Sequence, residues 1–107
     1  MKENNSSKLS REELKEFYAK IKNLDKKLDH GRAYRTLTNP IRRDILNFIG
    51  YTIKKLDEIK KEFLLDDSQL LYHLNMLKQT FYLLDTEEGW KLTPRGIGFL
   101  ENAQLSD

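Results

Sequence analysis

KKLDEIKKEFLLDDSQLLYHLNMLKQT, residues 54–80, reads as two short helices joined by a tight turn. In the second, Leu70, Leu74, Leu77 and Phe81 recur at i, i+4, i+7 and i+11, one face of a helix. Asp66 is placed to cap that helix, and Gln69, three residues on, to reach back and close a capping box. The opposite face carries Ser68, Gln69, Tyr72, Asn75, Met76 and Gln79, rich in hydrogen-bonding groups and almost without charge, Lys78 being its only cation. Ahead of it, Leu56, Ile59 and Phe63 make a shorter amphipathic helix. Two short helices, the second with one apolar and one polar face, are the pattern of a helix-turn-helix.

The flanks extend this reading. In NPIRRDIL, residues 39–46, Asn39 caps a helix and Pro40 takes its first position. Ile41, Ile45, Leu46 and Ile49 then face a core, and Arg42 and Arg43 face outward or sideways. Those arginines serve either as a solvated, ion-paired face or as phosphate contacts. Gly50 ends the helix, and Tyr51-Thr52-Ile53 is β-prone and short. Downstream, Phe81–Asp85 and Trp90–Thr93 flank Thr86-Glu87-Glu88-Gly89, the pattern of a β-hairpin with Gly at its turn. Thr93 and Pro94 open a last helix with Ile97 and Leu100 inward.

Residues 36–98 together resemble the winged-helix transcription regulators of the ArsR-like class, in their archaeal form. The resemblance is carried by NPIRRDIL, by Leu56-Asp57-Glu58-Ile59, by Leu70, Tyr72-His73-Leu74 and Leu77, and by Trp90-Lys91-Leu92-Thr93-Pro94-Arg95-Gly96. It implies an α+β, mostly α, winged helix-turn-helix with an extra N-terminal helix, and a role in transcription regulation. It also implies DNA contacts at Ser68, Gln69, Tyr72 and His73, with Lys91 on the wing.

Ahead of that region, residues 1–8 are polar and are expected to be disordered. Ser10 with Glu13 forms a capping box, and Leu9 with Leu14 a hydrophobic staple. Leu14, Phe17, Ile21, Leu24 and Leu28 follow at spacings of 3, 4, 3 and 4, a heptad seam stopped by Gly31. The spacing predicts one helix over 9–31, with the winged domain over 32–107 opening on a further turn or two of helix at Arg32–Leu37. The seam is buried either against a second copy or against its own domain. A homodimer is the preferred expectation, and the seam is too short for a free-standing coiled coil.

At 107 residues, with 34% charged and 38% hydrophobic side chains, the chain has the make-up of one globular domain. No apolar run reaches membrane-span length and no signal-peptide pattern is present, so a cytoplasmic protein with no membrane partner is expected. Cysteine is absent, which excludes disulfides and thiolate metal sites. Net charge is +2 and uneven: residues 1–50 carry 12 Lys/Arg against 7 Asp/Glu, and residues 51–107 carry 7 against 10.

Enzyme chemistry has no foothold. The serines sit in no nucleophile elbow, and the five glycines build no phosphate loop. His30 and His73 lack metal-ligand spacing. No catalytic residue, metal or cofactor is expected. Double-stranded DNA is the expected partner, read in the major groove by a helix over 67–80. Gln69 suits bidentate contact with adenine, Tyr72 suits phosphate or a thymine methyl, and Asn75 and Gln79 continue the face. Lys54, Lys55, Lys60 and Lys61, with Arg42 and Arg43, flank the motif and supply phosphate contacts beside it. Against this, Asp66, Asp67, Asp85, Glu87 and Glu88 present like charge to phosphates. Leu64 and Leu71 stand where the family often has Gly and a small polar residue. A winged-helix protein-interaction module is the alternative.

Overall fold

Ser10 does what its spacing predicts. Its hydroxyl accepts from Glu13 N at 3.1 Å, and the Glu13 carboxylate accepts from Ser10 N at 2.9 Å. The helix it opens, α1 (Arg11–Lys22), ends sooner than expected. Asn23 turns its side chain back on the Ala19 carbonyl, and Asp25 caps a separate helix by accepting from Lys27 N and Leu28 N. That helix, α2 (Lys26–Thr36), runs straight through Gly31. The single helix over 9–31 is therefore two. The physical reason is Asp25, whose short carboxylate competes for backbone N–H groups and is better placed at a cap than inside a helix.

The remaining elements follow at α3 (Pro40–Ile49), α4 (Leu56–Phe63), α5 (Asp67–Gln79), β1 (Leu83–Thr86), β2 (Gly89–Leu92) and α6 (Pro94–Ser106). The computed structural model describes residues 8–106, with side-chain surroundings for 8–102; the expectation of disorder over residues 1–7 lies outside them. Among the described residues the fold is α+β and mostly helical, six helices with one two-stranded antiparallel sheet. No helix among them is long and apolar enough to cross a membrane.

Asn39 caps α3 by accepting from Ile41 N at 2.9 Å, with Pro40 at the first position. Ile45, Leu46 and Ile49 of α3 are fully buried against Ile59 of α4 and Leu70, Leu74 and Leu77 of α5. Phe81, expected to continue that leucine face, does not. It stands past the end of α5 at φ 67, where Phe81 N donates to the Lys78 carbonyl and Tyr82 N to the Leu77 carbonyl. This pair of bonds is a Schellman end built on Phe instead of Gly. Its ring packs edge-on against Phe17, centroids 6.5 Å apart.

The hairpin pairs Leu83 with Leu92, Leu84 with Lys91, Asp85 with Trp90 and Thr86 with Gly89. The expected strand at Tyr51–Ile53 shrinks to a single bridge one residue later: Lys54 N donates to the Trp90 carbonyl and Trp90 N to the Lys54 carbonyl. Gly89 permits that approach. It has φ 137, and a Cβ there would lie 2.7 Å from the Lys54 carbonyl oxygen. Gly96 is required likewise, since a Cβ would meet the Tyr82 carbonyl oxygen at 2.5 Å.

Candidate nucleic-acid interface

α5 is held by its buried leucines, so its other face is fixed in direction. Ser68, Gln69, Tyr72, Asn75 and Gln79 are all exposed along it, Tyr72 by 57%. Asp66 caps the helix, accepting from Gln69 N at 2.8 Å and from the Ser68 hydroxyl at 2.9 Å. Those bonds hold the Asp66 carboxyl below its ordinary range. The return arm of the expected capping box is not formed, which leaves the Gln69 side chain without a hydrogen bond among the described residues. Ser68, by contrast, is committed to its cap.

The cations around this face are placed differently from the expectation. Lys60 lies beside the start of α5 and pairs with Asp67 at 2.8 Å, so much of its charge is answered locally. Arg42 does not face outward: it is 7% exposed. Its Nε donates to His73 Nδ1 at 3.1 Å, its Nη1 lies 3.4 Å from the Thr36 carbonyl, and its guanidinium carbon sits 5.3 Å above the Tyr72 ring. Arg43 is partly buried and donates to the Leu37 carbonyl at 2.6 Å. Periodicity places Arg42 beside the core face, which leaves it free to point outward or sideways. The guanidinium is long enough to fold back over α5, and its stem gains burial by doing so.

Lys91 is the clearest correction. The expected wing cation is only 4% exposed and bonds Glu13 at 2.8 Å, with the Lys8 carbonyl at 3.5 Å. Trp90 and Leu92 are buried on one side of β2, and from the other Lys91 reaches Glu13 of α1 instead of solvent. Burial would raise the Glu13 pKa, but the Lys91 ammonium and the Ser10 N–H outweigh it and the net shift is downward. The hairpin tip is left with exposed Glu87 and Glu88.

His73 is a partly buried acceptor on α5. Because Nδ1 receives the Arg42 bond, the ring is neutral with its proton on Nε2. Burial, and then the Arg42 charge, push its pKa below the ordinary 6.5. Of the expected dimer residues, Phe17 is buried within its own chain. Leu14, Ile21 and Leu24 are half-buried, and Leu28 is 58% exposed. No group of three or more His, Cys, Asp or Glu side chains among the described residues is arranged to hold a metal ion.

An uncharacterized protein of Archaeoglobus fulgidus is 36% identical to this chain over 72 residues, covering 67% of this chain and 83% of the other. The chain belongs to the family of that archaeal protein. No protein-family model matches it, and no solved structure does.

Two features of the site escaped the sequence reading. Arg95 grips Asp29 through both terminal nitrogens, at 3.0 and 2.6 Å, and also bonds the Thr80 carbonyl at the end of α5. Arg32 and Arg35 of α2 face Arg42 across a cleft. Their i, i+3 spacing on the helical turn expected over 32–37 was the available signal, but it gains meaning only once the fold brings Arg42 to the same cleft.

Proposed function

We propose that this chain is a DNA-binding transcription regulator of the ArsR-like winged helix-turn-helix type, acting as a dimer and reading the major groove with α5. The observation that carries the reading is the exposed, uncharged polar stripe Gln69, Tyr72, Asn75 and Gln79, set on a helix whose opposite face is locked by three fully buried leucines. α4, the turn and α5 supply the helix pair, and β1–β2 the hairpin that follows it. Rigid presentation of amide side chains is what base-edge recognition requires. Exposed Lys55, Lys61 and Lys78 supply phosphate contacts, in place of the occupied Lys60 and Lys91.

A second reading, a protein-interaction module of the same architecture, is favoured by one observation: Arg42, Lys60 and Lys91 are all engaged inside the chain while Glu87 and Glu88 stand exposed at the hairpin tip. Titration of a labelled mixed-sequence duplex at low and at higher salt separates the two. A DNA binder loses affinity steeply with salt. Gln69→Ala then relaxes preference at one base position at a cost of about 1–3 kcal/mol. No binding at either salt concentration, or an unaltered preference in Gln69→Ala, overturns the groove-reading role.

A further inference from the structure

We infer that the cleft between α2, α3 and the C-terminal end of α5 binds a small phosphorylated anion. The cleft is about 310 Å³, and three of its lining side chains are arginines: Arg32 and Arg35 from α2 and Arg42 from α3. Gln79 and Thr80 close it from α5. Arg42 is the telling residue. It is more than nine-tenths buried, yet each of its partners is electrically neutral: an imidazole nitrogen, a backbone carbonyl and an aromatic ring. Its Nη2 makes no hydrogen bond among the described residues. A buried guanidinium without a counter-charge is costly, and an anion in the cleft supplies that charge.

Other groups agree. Arg32 and Arg35 form no ion pair among the described residues, and the nearby Asp29 is held by Arg95. Thr36 also lines the cleft; it is 2% exposed, and its hydroxyl has no hydrogen-bond partner among the described residues. Guanidinium forks match the oxygens of a phosphate in geometry and charge. Three of them outweigh the partial negative charge at the C-terminal ends of both α2 and α5, which meet at the cleft. The volume admits a small phosphate ester and little more. Gln79 stands ten residues beyond Gln69, about 15 Å along the helix axis, so the cleft lies well away from the cap where the polar face begins. The far end of that face borders the cleft directly, since Gln79 belongs to both, and the Arg42 guanidinium couples the cleft to its middle by bonding His73 and stacking on Tyr72.

The test is a titration of the full chain, isotopically labelled, with inorganic phosphate at constant ionic strength set by sodium chloride. The expected result is saturable shifts at the backbone amides of Arg32, Arg35, Thr36, Gln79 and Thr80. An R32Q/R35Q double variant, whose unchanged circular dichroism shows it folded, weakens the phosphate affinity by about tenfold or more. Shifts no larger than those from chloride, or equal affinity in the double variant, overturn the site. A short duplex added to the phosphate-loaded protein decides the source. If the duplex displaces phosphate in direct competition, the cleft is a contact for the DNA backbone and the small-ligand proposal fails while groove reading stands. Phosphate binding with no duplex binding keeps this site and defeats the DNA reading.

Discussion

Leu64 is a bulky residue held at φ 53 and 88% exposed, just past the end of α4. The left-handed region costs a residue with a Cβ roughly 1–2 kcal/mol, and this side chain recovers little of it by burial. Glycine pays about 0.5–1 kcal/mol in unfolded-chain freedom. Leu64→Gly is therefore expected to stabilise the fold by up to about 1 kcal/mol, seen in urea melts as a higher midpoint at unchanged slope. Phe81 shares the backbone strain but offsets it with its contact to Phe17, so Phe81→Gly is not expected to gain. His73 makes a different prediction at the same scale. Its folded pKa lies below 6.5, so the unfolded chain binds the proton first as pH falls. Stability is full above about pH 6.5, declines as pH drops through that value, and levels off once the folded imidazole protonates too. His73→Gln, which keeps an acceptor for Arg42, should flatten that part of the stability profile measured by thermal melts. A decline of equal size in the variant would place its origin elsewhere.

At the scale of elements, the caps other than Asp25 were legible and the side-chain staples were not. Ser10, Asn39, Asp66 and Thr93 each cap the helix the sequence predicts, because a cap is a bond within four residues. Asp29–Arg95 joins α2 to α6 across 66 positions, and Glu13–Lys91 joins α1 to β2 across 78. Neither partner carries any local mark of the other. Hydrogen bonds to charged groups contribute about 1.5–3 kcal/mol, so Asp29→Asn should destabilise by that order. The Arg95 bonds, opposed by burial, hold the Asp29 pKa below 3.8, so the wild-type contribution is present above that pH and lost as acid protonates the carboxylate. The variant should accordingly show a shallower loss of stability in acid. Parallel acid melts of the two proteins check this.

At the scale of the whole molecule, the uneven charge along the chain resolves into used and unused groups. The expected wing cation Lys91 and the buried Arg42 serve the interior, while Arg32, Arg35, Lys55, Lys61 and Lys78 remain on the surface. The heptad seam divides as well: Phe17 is taken up by Phe81, and Leu28 remains exposed, as do Tyr18 and Tyr34 elsewhere on α1 and α2. On the dimer reading, Leu28 and its neighbours are what a second copy covers. Leu28→Glu should then give monomers by sedimentation without loss of helicity, and an unchanged dimer mass would remove these residues from the interface.

By itself the sequence determined the α+β class, the order of the helices and the hairpin after Pro40, the inward leucines of α5 and the polar residues opposite them. All of these follow from period and capping, which act over a turn or two of chain. Only the tertiary structure decided where the long cations go. Lysine and arginine carry flexible stems that reach in several directions from one backbone position, and the choice falls to whatever carboxylate, carbonyl or ring the fold brings near. Lys91 found Glu13, Arg95 found Asp29, and Arg42 turned inward onto His73 and Tyr72. The break at Asp25 belongs to the same class of decision, since a helix that bends there sets Phe17 against Phe81.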